Sequence, residues 1–296
     1  MRITGRPGQI AATLCLTLLL APEAFAQAET GATVLPPVTV VAPTPLLGSG
    51  IDRGKAPNSV NVLNRQDIAR SGVPSMLHAL EQQTPGVSLD DAQGNPFQPN
   101  LEYRGFVASP LDGNPQGLAV YLNGVRFNAA FSDAVNWDLL PSIAIDQVNL
   151  EGANPVFGLN ALGGALSIQM KNGFTWKGGQ AELYGGSFGT VAGSMQYGRQ
   201  SGSESTYLAV NIDHQRGWRQ LNSSDVRQAY GDIGWRSDTA ELHWNVLLAD
   251  NLLNGPGTVP VQFLAADRTA TFTAPNRTTN RYALSSLSGT WSLTDQ

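Results

Sequence analysis

The sequence predicts an α+β domain followed by antiparallel all-β strands, in a chain exported from the cytoplasm. Three observations carry this. Residues 58–171 mix short β-branched runs with two capped helical patterns. From Lys171 onward apolar and polar residues alternate with a period of two. The first 26 residues have the layout of an export signal.

The composition agrees with a strand-and-turn protein: 42% hydrophobic, 14% charged, with 32 Gly and 18 Pro. In the signal region Arg2 and Arg6 precede an apolar run at 10–21, and Ala24-Phe25-Ala26 places small residues at −3 and −1, so cleavage is expected before Gln27. The run is too short to cross about 30 Å of hydrocarbon as a helix. Losing Arg2, Arg6 and Glu23 takes the formal charge from −5 to −6, which argues against a nucleic-acid partner. Cys15 is the single cysteine and leaves with the signal, so no disulfide or thiol chemistry is expected. No later stretch offers about 18 uninterrupted apolar residues, so any membrane crossing is by strands.

Residues 27–57 are rich in Pro, Gly, Thr and Ala and read as a flexible leader. Within it Val38, Thr39, Val40 and Val41 form a β-branched island with no nearby partner strand, suited to adding to another protein's sheet. In 58–171 a strand is expected at 59–63, and Asn64 with Asp67 three positions on caps a first helix. Pro74 opens a second helix carrying Met76, Leu77 and Leu80, which Thr84-Pro85-Gly86 stops. Apolar runs flank Asn123-Gly124, the signature of a type I′ hairpin. Further strands are expected at 145–150 and 165–170. Two long polar stretches, 90–100 and 109–116, read as loops that are functional or disordered.

The alternating segments are 180–184 and 190–197 around a Gly-Gly turn, then 206–214, 230–235, 241–248 and 282–293. A soluble sandwich alternates too. Segment length, and the aromatics Tyr197, Trp218, Trp235 and Trp244 near segment ends, favour a transmembrane wall.

Three stretches resemble the plug of the TonB-dependent receptor family. Tyr103-Arg104-Gly105-Phe106 is similar to its Arg-Gly-aromatic strand, and Val120-Tyr121-Leu122-Asn123-Gly124-Val125 to its apolar-Asp-Gly-apolar hairpin. The third runs from Ile145 through Gly152, then Val156-Phe157-Gly158, then Ala161-Leu162-Gly163-Gly164-Ala165, and resembles the end-of-plug signature. Departures are Asn123, where Asp is common, and Asn149 and Glu151 before Gly152. Tyr184-Gly185-Gly186-Ser187-Phe188-Gly189 resembles the first barrel strand and turn.

The resemblance implies a signal peptide at 1–26, a leader with a TonB box (Val38, Thr39, Val40, Val41) at 27–57, a plug at 58–171, and from 177 to 296 the first strands of a transmembrane β-barrel. A barrel of this family has 22 strands. The 120 residues from 177 onward supply about five or six at roughly 20 residues each, so an incomplete barrel is expected, a fragment or a truncated product. It further implies an outer-membrane, monomeric active-transport receptor for a scarce nutrient, foremost a ferric siderophore or ferric citrate, with TonB and outer-membrane lipid as partners.

Asn95, Phe97, Gln98, Asn100 and Gln116 are the expected plug-side ligand contacts. Arg104, Gly105, Asn123, Gly124, Gly152, Gly158, Gly163 and Gly164 are its structural positions. Arg104, Arg126, Asp146 and Glu151 are expected to pair within the plug or with the barrel wall. His78, His214 and His243 show no metal-ligand spacing, and no nucleophile and base are paired; neither a metal, a cofactor nor catalysis is expected. The 158–164 glycines lack the following Lys-Ser/Thr of a phosphate loop. The competing class is a soluble exported binding protein, a plug-like domain with a small sandwich.

Overall fold

The computed structural model describes residues 40–41, 51–52, 59–71, 75–91 and 93–292. The expected signal segment, Val38, Thr39 and Pro74 lie outside the described residues. Val40–Val41 (β1) and Ile51–Asp52 (β2) form a two-residue antiparallel ladder. This corrects the expectation that the 38–41 island has no local partner: an isolated strand's backbone groups pair with whatever edge is near.

Val60–Asn64 (β3) runs into Arg65–Arg70 (α1), where Asn64 Oδ1 accepts from the amides of Gln66 (2.8 Å) and Asp67 (3.2 Å) while Asp67 returns a bond to the Asn64 amide, a complete capping box. Met76–Gln83 (α2) is capped by Ser75, and buries Met76, Leu77, Ala79 and Leu80. Gly86, at φ +82°, turns the chain out of α2, which a residue with a Cβ does at a cost. Val87–Asp90 (β4), Asn100–Tyr103 (β5) and Phe106–Ala108 (β6) make a three-stranded antiparallel sheet.

Leu118–Leu122 (β7) and Val125–Arg126 (β8) close the expected hairpin, with Asn123 at φ +46° and Gly124 at φ +82°, the two positive values a type I′ turn needs. Ile145–Gly152 (β9) and Gly164–Met170 (β10) complete a five-stranded sheet in the order β3-β9-β10-β7-β8. β7 is buried on both faces. Leu118, Val120 and Leu122 join the main core beneath α2, and Ala119 and Tyr121 pack against Phe157, Ala161 and Ala165.

Six strands follow as one antiparallel meander: Gly178–Gly186 (β11), Thr190–Ser201 (β12), Glu204–Gln215 (β13), Ser224–Arg236 (β14), Ala240–Asn254 (β15) and Arg277–Trp291 (β16). Gly185 and Gly186 are the last pairs of β11. The turn is Ser187–Gly189, with Phe188 in the left-handed region, so the expected Gly-Gly turn lies two residues later. Short turns at 202–203 and 237–239 mark one end of the strands. Longer connections at 216–223 and 255–276 mark the other, and the latter carries a short helix, Val261–Ala266 (α3), that no sequence pattern announced.

The meander is a single sheet, and among the described residues its apolar face is not packed on a second sheet, which argues against the sandwich alternative. Leu208, Ile212, Ile233, Trp244 and Leu248 are about half exposed on that face, while Tyr207, Ala209, Tyr230 and Leu247 on the opposite face are buried in the same core as β7, β9 and β10. One wall therefore presents apolar residues outward and packs its inner face on the α+β domain. Tyr197, Trp235, Trp244 and Trp291 lie outward towards the short-turn ends; Trp218 sits in the 216–223 connection, at the opposite end. Among the described residues no helix is long and apolar enough to cross a membrane.

Candidate functional site: the seam between domain and strand wall

Alternation decides which wall residues can meet the domain. In β14, β15 and β16 the inward positions include Gln228, Asn251 and Asn280, and all three converge on one residue. Asp138, in the 3-10 turn Trp137–Leu139, is 3% exposed. Its carboxylate accepts from Asn251 Nδ2 (2.8 Å), Asn280 Nδ2 (2.8 and 3.1 Å) and Gln98 Nε2 (3.2 Å). Its backbone carbonyl accepts from Gln228 Nε2 and Asn251 Nδ2, both at 2.6 Å. Every donor is a neutral amide. Burial pushes the Asp138 carboxyl above the usual range, and the amide bonds pull it back only in part.

A second layer lies towards the long connections. Asn95 Nδ2 donates to Ser224 Oγ and to the Asn254 carbonyl, both at 2.9 Å, and its Oδ1 accepts from the Phe97 amide, which shapes the 91–99 loop. Asn222 Nδ2 donates to the Gly94 carbonyl at 2.6 Å, and the Gly257 amide donates to the Gln93 carbonyl at 3.1 Å. Arg219 ties the two long connections by donating to the carbonyls of Gly257 and Ala270.

The opposite end of the seam is held by the hairpin and by the connector between domain and wall. Asn123 Nδ2 donates to Tyr230 Oη (3.1 Å), and its Oδ1 accepts from the Met170 amide (2.9 Å). Lys171 is buried, donates to the Ile143 carbonyl and to Gln196 Oε1, and lies 5.7 Å from the Trp176 ring. Burial lowers its ammonium to about 8. In the connector Asn172 Oδ1 accepts from the amides of Phe174 and Thr175. The Arg236 guanidinium lies 4.1 Å from the Phe174 ring centre, and His243 meets that ring edge-on at 5.8 Å. A Cβ on Gly173 would overlap the backbone of Arg199 and Thr206, so the connector lies flush on the wall.

Asn95 and Gln98, expected as ligand contacts, are 1% and 2% exposed and spend their amides on the wall and on Asp138. That corrects the expectation of ligand-facing side chains for these two: wall carbonyls and hydroxyls lie nearer than solvent. Phe97, Asn100 and Gln116 are half-buried, and Gln116 closes its own loop by exchanging bonds with the Ser109 backbone at 2.8 and 3.1 Å.

Of the four charged residues, Arg126 and Asp146 form local ion pairs, Arg104 makes only neutral local contacts and Glu151 pairs with no charge among the described residues. Arg126 meets Asp133 (3.2 Å) and the Leu159 carbonyl; Asp146 meets Arg65 (3.6 Å); Arg104 reaches Ser59 Oγ (3.4 Å) and lies over Tyr103. Glu151 is buried with Oε1 lacking a partner, and burial pushes its carboxyl up to about 7. Gly163 and Gly164 are dictated by space, since a Cβ would run into the Phe106 ring at one and the Glu151 carbonyl at the other. Gly105 and Gly158 have positive φ at turns, and Gly152 ends β9 with its amide on the Ser59 carbonyl. His243 contacts Asp232 (3.0 Å) and Glu241 (2.8 Å); His214 contacts Asp225 (2.8 Å); His78 lies near Glu81 (3.7 Å).

The geometry defines a class: a small α+β domain pressed against the inner face of a β-wall, as a plug is held in a barrel. Residues 52–165 match the TonB-dependent receptor plug domain family model. The strands that follow resemble the start of that family's barrel, and six do not close one. The rhizobactin receptor of Rhizobium meliloti (strain 1021) is 34% identical over 105 residues, covering 35% of this chain and 14% of that protein. The ferric citrate transporter FecA in its unliganded form aligns with a TM-score of 0.68 at 15% identity, over 82% of this chain and 38% of that one. The ferripyoverdine receptor of Pseudomonas aeruginosa gives 0.57 at 16% identity, over 73% and 28%. The chain thus spans well under half the length of each of these relatives.

Proposed function

We propose that the chain serves an outer-membrane receptor that imports a ferric chelate, a ferric siderophore or ferric citrate, with energy delivered by TonB. The supporting observation is a plug sheet locked to the inner face of an outward-apolar strand wall through buried amides, an arrangement suited to closing a pore and of no evident use to a catalyst. In this reading 1–26 is a cleaved signal, 27–57 the leader, 58–171 the plug and 177–296 wall strands. The loops at 91–99 and 109–116 lie beneath the ligand, with Phe97, Asn100 and Gln116 nearest it.

Val38, Thr39, Val40 and Val41 are the TonB box. Engagement by strand addition first opens the β1–β2 ladder, at about 1–3 kcal/mol for two backbone bonds, and a four-residue strand on TonB offsets that. The test is uptake of radiolabelled iron, supplied as ferric chelates, by cells whose only receptor is this protein. Uptake that collapses when residues 38–41 are replaced by a Gly-Ser stretch, while surface binding persists, supports the reading. Uptake indifferent to that replacement refutes energy coupling through this segment, and absence of binding to every chelate refutes the ligand class.

A further inference from the structure

Phe174, in the connector between plug and wall, occupies a slot cut by the register of β14 and β15. Gly234 lies opposite His243 and Arg236 opposite Glu241, all at inward positions. A Cβ on Gly234 would lie 2.8 Å from the Phe174 ring, 2.9 Å from His243 and 2.5 Å from Ser205 Oγ, so the missing side chain is what makes the room.

The sides of the slot are charged. Arg236 lies over the Phe174 ring at 4.1 Å and holds Glu241 through Nε (2.7 Å) and Nη2 (2.8 Å). His243 packs on the same ring at 5.8 Å and turns both ring nitrogens to carboxylates: Nδ1 is 3.0 and 3.1 Å from the Asp232 oxygens, and Nε2 is 2.8 Å from Glu241 Oε1. A neutral imidazole has a single N–H to give. Both carboxylates are satisfied only by imidazolium, which also sets a second cation within about 6 Å of the Phe174 ring. The other charges at the cluster are engaged elsewhere. Asp146 meets Arg65 at 3.6 Å, and Lys171 donates to the Ile143 carbonyl and to Gln196. β13 and β16 contribute Ser205 and Ser288, and the Tyr230 hydroxyl accepts from Asn123. A cavity of about 260 Å3, lined by Asp146, Asn172, Thr175, Asp232, Glu241 and His243 among others, lies beside the cluster, and the His243 side chain is 14% exposed, so protons can reach it.

We propose that His243 is a proton-operated latch on the connector: as imidazolium it draws Asp232 and Glu241 together around Phe174, and on losing its proton it lets the connector lift from the wall. Without that proton a ring lone pair faces a carboxylate at hydrogen-bonding distance, the imidazole turns away, and Phe174 loses one side of its slot and one of its two cations. The latch is closed at low pH and opens as pH rises. It sets how firmly the plug is tethered, whatever ligand the receptor takes.

The test uses the protein with whatever its gene encodes on either side of these residues, refolded in detergent. Amide hydrogen exchange, corrected for its intrinsic pH dependence, is read at about pH 5.5 and about pH 9 in the β9–β10 core and at 174–176, whose amides are held by Asn172. In wild type the higher pH is expected to cost 174–176 about tenfold more protection than it costs the core. His243→Gln, with no proton to lose in this range, is expected to show the lowered protection at both values. Asp232→Asn, which leaves the imidazole one carboxylate, is expected to release the connector at a lower pH than wild type, and it decides the matter where the glutamine variant does not fold. Equal protection of 174–176 at the two pH values in wild type overturns the proposal. So does a pH difference that survives His243→Gln, which assigns it to Lys171, and so does a loss shared equally with the core, which assigns it to the plug as a whole.

Discussion

Removing the Asp138 carboxylate is expected to loosen the plug from the wall without unfolding the plug. In Asp138→Ala the side-chain amides of Gln98 and Asn280 lose their acceptor, while Asn251 keeps the backbone carbonyl. An orphaned donor costs about 1–3 kcal/mol when buried, as Gln98 is, and less when half-buried, as Asn280 is, so two give at most roughly 2–6 kcal/mol, less the relief of no longer burying a charge without a cation. A net loss of about 2–4 kcal/mol of plug–wall attachment is the expected value. Asp138→Asn keeps one acceptor and removes the charge, so it should lose less. The assay is amide hydrogen exchange on the refolded protein, comparing 93–98 and 136–140 with the β9–β10 core. The alanine variant should raise exchange in the two seam segments by two orders of magnitude while the core is unmoved. Pairing Asp138→Ala with Asn280→Ala should be strongly non-additive. Additivity within about 0.5 kcal/mol, or equal exchange in wild type and variant, would refute the view that this carboxylate holds the seam.

Three further outcomes are expected. The Glu151 carboxyl titrates near 7 in the folded plug against an ordinary 4.5, so the folded state holds its proton more tightly; stability is fully present below about 4.5 and falls as pH rises to 7. Glu151→Gln should flatten that slope in urea titrations across this interval, and an unchanged slope would assign the pH dependence to another group. Gly164→Ala places a Cβ against the Glu151 carbonyl at φ +146° and should cost more than about 3 kcal/mol, with Tm as the readout; a Tm within a degree or two of wild type would show that β9 and β10 can part freely. Asn123→Asp should be nearly neutral, because the Tyr230 hydroxyl can rotate to donate, whereas Asn123→Leu loses both bonds at a positive φ and should cost about 2–4 kcal/mol by chemical denaturation.

Local chemistry was readable in the sequence wherever a feature is specified by neighbours within a few residues. Asn64 and Asp67 announce their capping box, Asn123-Gly124 its turn, and the alternation of 206–214 its two faces. What was not readable depends on residues far apart. Asp138 is 113 residues from Asn251 and 142 from Asn280, and no periodicity links them. The clue available was the inward run of Asn and Gln in strands that would otherwise face water, a sign that something polar stands opposite. Asn95 and Gln98 looked like solvated loop residues because a polar loop and a polar seam share one composition. The 187–189 turn slipped by two residues because Phe188 takes a left-handed conformation that Gly185 and Gly186 were expected to supply.

The order β3-β9-β10-β7-β8 gives the plug a mechanical polarity. β3, nearest the N-terminus, is an edge strand bonded only to β9, whereas β10, nearest the connector, is interior and leads into a segment pinned by Phe174 and Lys171. Tension entering at the N-terminal end peels β3 from β9 one bond at a time, as a zip opens. The same tension reaching the connector would have to shear several bonds at once. A pull of modest size therefore opens a gap on one flank of the plug and leaves its tether intact, so the peeled strand has a fixed sheet to return to when the force is released.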